Sequence, residues 1–231
     1  MLLYRPLGDS GLRIEFSTII ERQAIIKIRS FQDEIESKCW NFVIECVASY
    51  TTLTIFYEPT IVSYEELVAL CYEVELAQQH PLNASRDSCS RGNNIVEIPV
   101  LYGGEHGPDL ADVAKIHEYT PEQVIEIHSR PTYLIYLIGF TPGFPYLGGM
   151  SDKIATPRLS KPRLKVKAGS IGIAGNQTGI YSVDSPGGWR IIGHTPVKIF
   201  DPISSSPFLF KQGDYVVFKP VDEKVYESYR G

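Results

Sequence analysis

The chain has 231 residues, 43% of them apolar and 21% charged, enough for one large or two small domains with a real core and against wholesale disorder. The formal charge is −5 and no run approaches the roughly eighteen apolar residues of a membrane span, so neither nucleic acid nor a bilayer is indicated as a partner. The charge is uneven: residues 1–90 carry 7 basic and 13 acidic side chains, residues 91–231 carry 15 and 14.

The opening MLLYRPLGDSG lacks a basic leader and a long apolar stretch, so no secretion signal is expected. LLYRPL (2–7) and LRIEF (12–16) read as two strands around the turn GDSG. Thr18 and Glu21 make a TxxE capping box for a helix with Ala24, Ile25, Ile28, Phe31 and Ile35 along one face. FVIECV (42–47) and LTIFYE (53–58) follow as strands, and Ser63 with Glu66 heads a second helix to about Gln79. The order β-β-α-β-β-α suggests an α+β sandwich over residues 1–90, an antiparallel sheet with its helices on one face. Residues 80–94, HPLNASRDSCSRGNN, read as a linker.

IVEIPV (95–100) opens a second domain, expected over 91–231. A short helix at about 109–117 is followed by Thr120-Pro121-Glu122-Gln123, a strong helix start, with that helix running to about Ser129. TYLIYLI (132–138), SIGIA (170–174), WRIIG (189–193), VKIF (197–200) and YVVF (215–218) are the strand-like runs. Between them 11 of the 19 glycines fall in residues 139–193. Short strands with Gly/Pro turns and few helices indicate a closed or nearly closed β-barrel.

Several familiar sites are missing from the sequence. There is no GxxxxGK[ST] loop, no GxGxxG, no GxSxG elbow and no HExxH. Cys39, Cys46, Cys71 and Cys89 form no CxxC pair, which reads as small buried thiols rather than a metal site and points to the cytoplasm.

Three segments carry candidate chemistry. GFTPGFPYLGGM (139–150) holds Phe140, Phe144 and Tyr146 on a stiff loop, either a lid that plugs the barrel or the apolar wall of a ligand pocket. TPRLSKPRLKVKAGS (156–170) belongs to a cluster of Lys153, Arg158, Lys161, Arg163, Lys165 and Lys167 with no acidic residue among them. This is either a solvated basic strand or an anion site. Arg158 and Arg163 each follow a proline that limits the local backbone, which favours an anion role for at least one of them. GNQTGIYSVDSPGGWRIIGHTP (175–196) offers Gln177, Thr178, Tyr181, Ser185, Trp189 and Arg190 among glycines that let backbone approach a ligand. Ser185 has no base assigned by the sequence, so it is a weak nucleophile. His128 is a candidate acid or base, or else a structural histidine on a helix face.

These segments, in this order, resemble the family of the 5-oxoprolinase B subunit, also called the KipI or allophanate hydrolase subunit 1 family; YGGEHGPDL (102–110) and VIEIHS (124–129) fit the same pattern. The resemblance implies a small α+β domain followed by a cyclophilin-like closed β-barrel. It also implies a larger carboxyltransferase-like partner (the C subunit) and a third 5-oxoprolinase subunit, together hydrolysing 5-oxo-L-proline to L-glutamate with ATP. By similarity the site falls on Arg158, Arg163, Gln177, Thr178, Tyr181, Trp189 and Arg190. Catalytic roles are then expected for His128, Arg163, Gln177 and Tyr181, and substrate contacts for Arg158, Phe144, Thr178, Ser185, Trp189 and Arg190, with no metal. The resemblance leaves two other roles open, an inhibitor of a sensor histidine kinase and a carboxyltransferase-like subunit of a urea or allophanate pathway. The chain departs from the family pattern at Lys167, where proline is common, and at His194, where arginine is common.

Overall fold

The computed structural model describes residues 2–19, 22–79 and 94–229. The chain divides into two compact units, Met1–Asn93 and Asn94–Gly231.

In the first unit, β1 (Leu3–Leu7), β2 (Gly11–Glu15), β3 (Val43–Ala48) and β4 (Thr52–Tyr57) form an antiparallel sheet in the order β1-β2-β4-β3. Alternation sets its inner face: Leu12, Ile14, Leu53, Ile55 and Tyr57 are buried, while Arg13 between two of them is exposed. Helix α1 (Arg22–Ser37) buries Ala24, Ile25, Ile28, Phe31 and Ile35, and α2 (Tyr64–Gln79) buries Leu67, Cys71 and Val74. Each large apolar side chain among them contributes about 1.5–3 kcal/mol of burial free energy. The second capping box forms as expected: Ser63 Oγ accepts from Glu66 N at 3.2 Å, and Glu66 Oε2 accepts from Ser63 N at 2.9 Å. Glu21 of the first expected box lies outside the described residues, as do Cys89 and all of the expected linker except Asn94.

The second unit is a closed, mixed barrel. Its strands are β5 (Ile95–Tyr102), β6 (Thr132–Ile138), β7 (Pro145–Gly148), β9 (Ser170–Ala174), β10 (Gln177–Ile180), β12 (Arg190–His194) and β13 (Tyr215–Pro220). They run in the order β10-β7-β6-β13-β5-β12-β9, and β9 pairs back to β10. Only β13 with β5 is parallel among these pairs. Two short strands, β8 (Arg163–Val166) and β11 (Ser185–Gly187), make a separate antiparallel ribbon. Helices α3 (Leu110–Ile116) and α4 (Pro121–Ser129) and a C-terminal turn of helix, α5 (Glu223–Ser228), complete the unit. The Thr120 capping box is present, with Gln123 N donating to Thr120 Oγ1 and Thr120 N to Gln123 Oε1.

Two readings of the barrel are corrected. VKIF (197–200) is not a strand; Pro196 and Pro202 bracket it, and its one β contact is an isolated bridge from Phe200 to Phe208. Conversely β7, β10 and β11 arise inside segments read as loops, because their place in the sheet comes from the strands they pair with rather than from their own apolar alternation. Strands β9 and β10 form a hairpin whose turn begins at Gly175, at φ +60, a left-handed conformation that glycine adopts without a Cβ penalty.

Candidate functional site

Pairing register decides what reaches the outside of the barrel. In the β9–β10 hairpin Thr178 faces Ile173 and Gln177 faces Ala174. Cross-strand partners share a face, and neighbours along a strand point to opposite faces. Ile171, Ile173 and Ile180 belong to the barrel interior, and Thr178 goes inward with them. Ala174 instead joins a second cluster outside, with Phe144, Val166, Tyr181, Trp189 and Ile191, against which the half-buried Tyr146 packs. Half-buried Gln177 therefore lies on the side of this outer cluster and Thr178 does not.

The outer cluster is built edge to face. Phe144 stands against Tyr181 at 5.3 Å and 90°, and against Trp189 at 5.4 Å and 85°. Tyr146 lies 4.8 Å from Phe144 and 5.9 Å from Trp189, and exposed Phe140 sits 5.8 Å from Phe144. Such pairings add about 0.5–1.5 kcal/mol each beyond area burial and fix the ring planes. Phe144 is 1% exposed and packs with half-buried Tyr146 in this cluster outside the barrel interior, so neither ring plugs the barrel.

Arginines surround this wall. The Arg158 guanidinium lies 5.9 Å over the Trp189 ring. Arg163 reaches it through an irregularity in the ribbon: Ser185 pairs with Val166 and Gly187 with Arg163, so β8 holds an extra residue. A bulge of this kind re-aims a side chain. It turns Arg163 to the face of Val166 and Ser185 and leaves Leu164 93% exposed. Arg163 Nη2 then donates to Asp109 Oδ1 at 2.7 Å, and Asp109 Oδ2 accepts from Ile191 N at 2.6 Å. Arg190 Nε donates to the Pro157 carbonyl at 3.3 Å, with its Nη1 3.5 Å from Asp112. Gly187 lacks a Cβ because one would overlap the Tyr181 phenol oxygen and stand 2.8 Å from its Cζ.

The phenols respond to these surroundings. Burial pushes the Tyr146 hydroxyl above its ordinary pKa, opposed by the Arg158 charge. Burial does the same to Tyr181, opposed by a backbone hydrogen bond from Trp189 and by the charges of Arg158 and Arg163. Both phenols stay protonated at neutral pH and are hydrogen-bond donors beside a cation.

The structure thus brings together Phe144, Arg158, Tyr181 and Trp189, with the Arg163 charge felt by Tyr181 and Gln177 on the same side; Arg190 pairs with Ile173 across from β9 and reaches Pro157 and Asp112 rather than the rings. It leaves His128 and Thr178 elsewhere. His128 is fully buried, stacked 4.7 Å from Phe218. Thr178 Oγ1 donates to the Gly172 carbonyl at 3.0 Å, so its lone pair accepts from His128 Nε2–H at 2.9 Å. His128 Nδ1 accordingly accepts from the Tyr102 hydroxyl at 2.8 Å. Both nitrogens are used by the neutral ring, and burial lowers its pKa to about 3. Burial and the use of both ring nitrogens favour a neutral imidazole, bonded to Thr178 and apart from the aromatic cluster. Ser185 Oγ is buried with no hydrogen-bond partner among the described residues, so no base activates it. His194 lies outside the aromatic cluster: Nε2 donates to the Ala168 carbonyl at 2.8 Å and Nδ1 accepts from Tyr226. Asp109 and Asp112, which sequence reasoning passed over, hold two of the arginines. The only signal was two acids in the segment leading into α3 in a half of the chain rich in arginine.

The carboxyltransferase domain, subdomain C and D, matches residues 2–210. The 5-oxoprolinase B subunit of Bacillus subtilis (strain 168) is 43% identical over 228 residues, 97% of this chain and 95% of that protein. The chain belongs to the 5-oxoprolinase B-subunit family. A conserved uncharacterised protein of Pyrococcus horikoshii, whose crystal structure is solved, shares 44% identity over 97% of this chain and 100% of its own, with a TM-score of 0.57. The crystal structure of the protein TTHA0988 matches 95% of this chain at 31% identity and a TM-score of 0.78, over 40% of its own length. The match spans the α+β unit and the barrel as far as β12, while β13 (Tyr215–Pro220) lies beyond residue 210; the arginine–aromatic wall lies on the matched part of the barrel.

Proposed function

We propose that this chain is the B subunit of an ATP-dependent 5-oxoprolinase, which opens the lactam of 5-oxo-L-proline to give L-glutamate. The observation that carries the reading is 43% identity running through 97% of this chain and 95% of a relative that bears this name. Opening the ring breaks the lactam C–N bond and adds water across it, leaving a new carboxylate and a free amine. ATP hydrolysis to ADP and phosphate supplies the driving force. The substrate is a small ring bearing a carboxylate, and Arg158 over Trp189, beside the cluster of Phe144, Tyr146 and Tyr181, offers a donor for that charge. ATP carries oxyanions that fit the same arginines; the sequence has no glycine-rich nucleotide loop, so the reading leaves the adenosine to a partner protein.

The partners are a larger carboxyltransferase-like protein, the C subunit, and a third 5-oxoprolinase subunit. In support, the homologous segment of TTHA0988 is only 40% of a longer chain, so in that protein the domain is joined to further sequence. No described helix is long and apolar enough to cross a membrane, and we place the complex in the cytoplasm, where ATP is supplied. The test is glutamate release from 5-oxo-L-proline by the purified complex, with and without ATP. A complex of verified composition that releases no glutamate overturns the reading. Recovery of a sensor histidine kinase or of a biotin-bearing protein as the stable partner replaces it.

A further inference from the structure

The arginines at the aromatic wall do not have equal freedom. Arg163 is anchored: Nη2 donates to Asp109, whose side chain is 7% exposed, and Nη1 is buried beyond the reach of solvent. Asp109 is itself locked to β12, since its N–H donates to the Ile191 carbonyl at 2.9 Å and its Oδ2 takes the Ile191 N–H. Arg190 is held at the Pro157 carbonyl and near Asp112. Asp109 and Asp112 stand three positions apart at the start of α3, so one short helix holds both arginines.

Arg158 is different. It is exposed, and it makes no hydrogen bond or ion pair to any described residue. Its loop is nonetheless well tied: Arg190 holds Pro157, Leu159 N donates to the Gly188 carbonyl at 2.7 Å, and Arg163 follows at the start of β8. Trp189 lies beneath the guanidinium, which leaves the donor edge of the cation turned to solvent.

We propose that Arg158 is the arginine that takes the ligand's oxyanion, a carboxylate or a phosphoryl group, and that Asp109 is a positioning residue acting on it through Arg163. This rests on the 5-oxoprolinase reading. Arg163 commits Nη2 to a buried carboxylate and holds Nη1, unpaired among the described residues, away from solvent, whereas Arg158 keeps its planar fork exposed for bidentate pairing. The Arg158 charge is felt by the phenols of Tyr146 and Tyr181, so the cation stands beside the polar rim of the cluster. Asp109 fixes Arg163, Arg163 fixes the start of β8, and that fixes the end of the loop on which Arg158 stands.

The test is steady-state kinetics on the reconstituted complex, varying 5-oxo-L-proline and ATP separately. Arg158→Met is expected to raise one of the two KM values about tenfold, the worth of one charge-assisted contact, with kcat within about threefold. A rise for 5-oxo-L-proline identifies the carboxylate, a rise for ATP the phosphoryl group. Arg158→Lys is expected to recover part of the loss. Asp109→Asn is expected to raise the same KM by a smaller factor, and the double variant no further than Arg158→Met alone, because both act on one contact. An active complex in which Arg158→Met leaves both KM values unchanged, or lowers kcat alone, overturns the assignment of Arg158. An Asp109→Asn variant that loses stability with both KM values intact overturns the positioning role. A wild-type complex without activity strikes the 5-oxoprolinase reading itself.

Discussion

His128 should make the barrel sensitive to mild acid in a way that one substitution removes. In the folded chain its ring is neutral, fully buried and hydrogen-bonded at both nitrogens, with a pKa lowered by burial to about 3 from an ordinary 6.5. Between those values the unfolded chain binds a proton that the folded chain does not, so stability is present above pH 6.5 and is lost as pH falls. Integrating that linkage, lowering the pH from 6.5 to 5 costs on the order of 2 kcal/mol from this group, and the loss continues as the pH falls further. Carboxylates titrate in part of the same range, so the informative quantity is a difference between proteins. His128→Gln keeps one donor for Thr178 and one acceptor for Tyr102 but does not titrate. Denaturant unfolding in a Trp40→Phe background follows the barrel through Trp189. The wild type should lose on the order of 2 kcal/mol more than His128→Gln between those pH values. Equal slopes for the two proteins would refute the account, as would a directly measured His128 pKa near 6.5.

Two further substitutions probe the frame of the site. Gly187→Ala drives a methyl group into the Tyr181 phenol and should cost about 1–3 kcal/mol, with altered Trp189 emission because Tyr181 and Trp189 both pack on Phe144. Unchanged stability and emission would mean the ribbon does not lie over that ring. Thr120→Ala removes the acceptor for Gln123 N and should cost about 1 kcal/mol by denaturant unfolding, leaving KM for 5-oxo-L-proline unchanged. A shift in that KM would mean that the cap of α4 acts on the site through the elements it packs against, α3 and β10.

Local signals in the sequence carried far. The Ser63 and Thr120 caps set helix starts that the structure keeps, because a cap is a contact within four residues. The alternation of Leu12–Arg13–Ile14 set which face of the first sheet is buried. The barrel was legible from its glycine-rich short strands, although β7, β10 and β11 hid in segments without alternation of their own. The identity of the family was legible too, since long ordered motifs in residues 139–196 are a property of the chain alone.

The division of labour within the site was not legible. Gln177 and Thr178 are neighbours in the sequence, and only the pairing of β10 with β9 sends one outward to the aromatic wall and the other into the core. The same register joins Thr178 to His128 across 50 positions, where burial favours a neutral imidazole. Two Pro-Arg pairs look equivalent along the chain, yet the bulge in β8 and Asp109, 54 positions away, anchor Arg163 and leave Arg158 with its donors free. Sequence determined which residue types were present, where elements begin and which faces are apolar, because those depend on neighbours along the chain. Tertiary structure decided which arginine meets a carboxylate and which meets solvent, because that depends on strand register and on residues far apart in sequence.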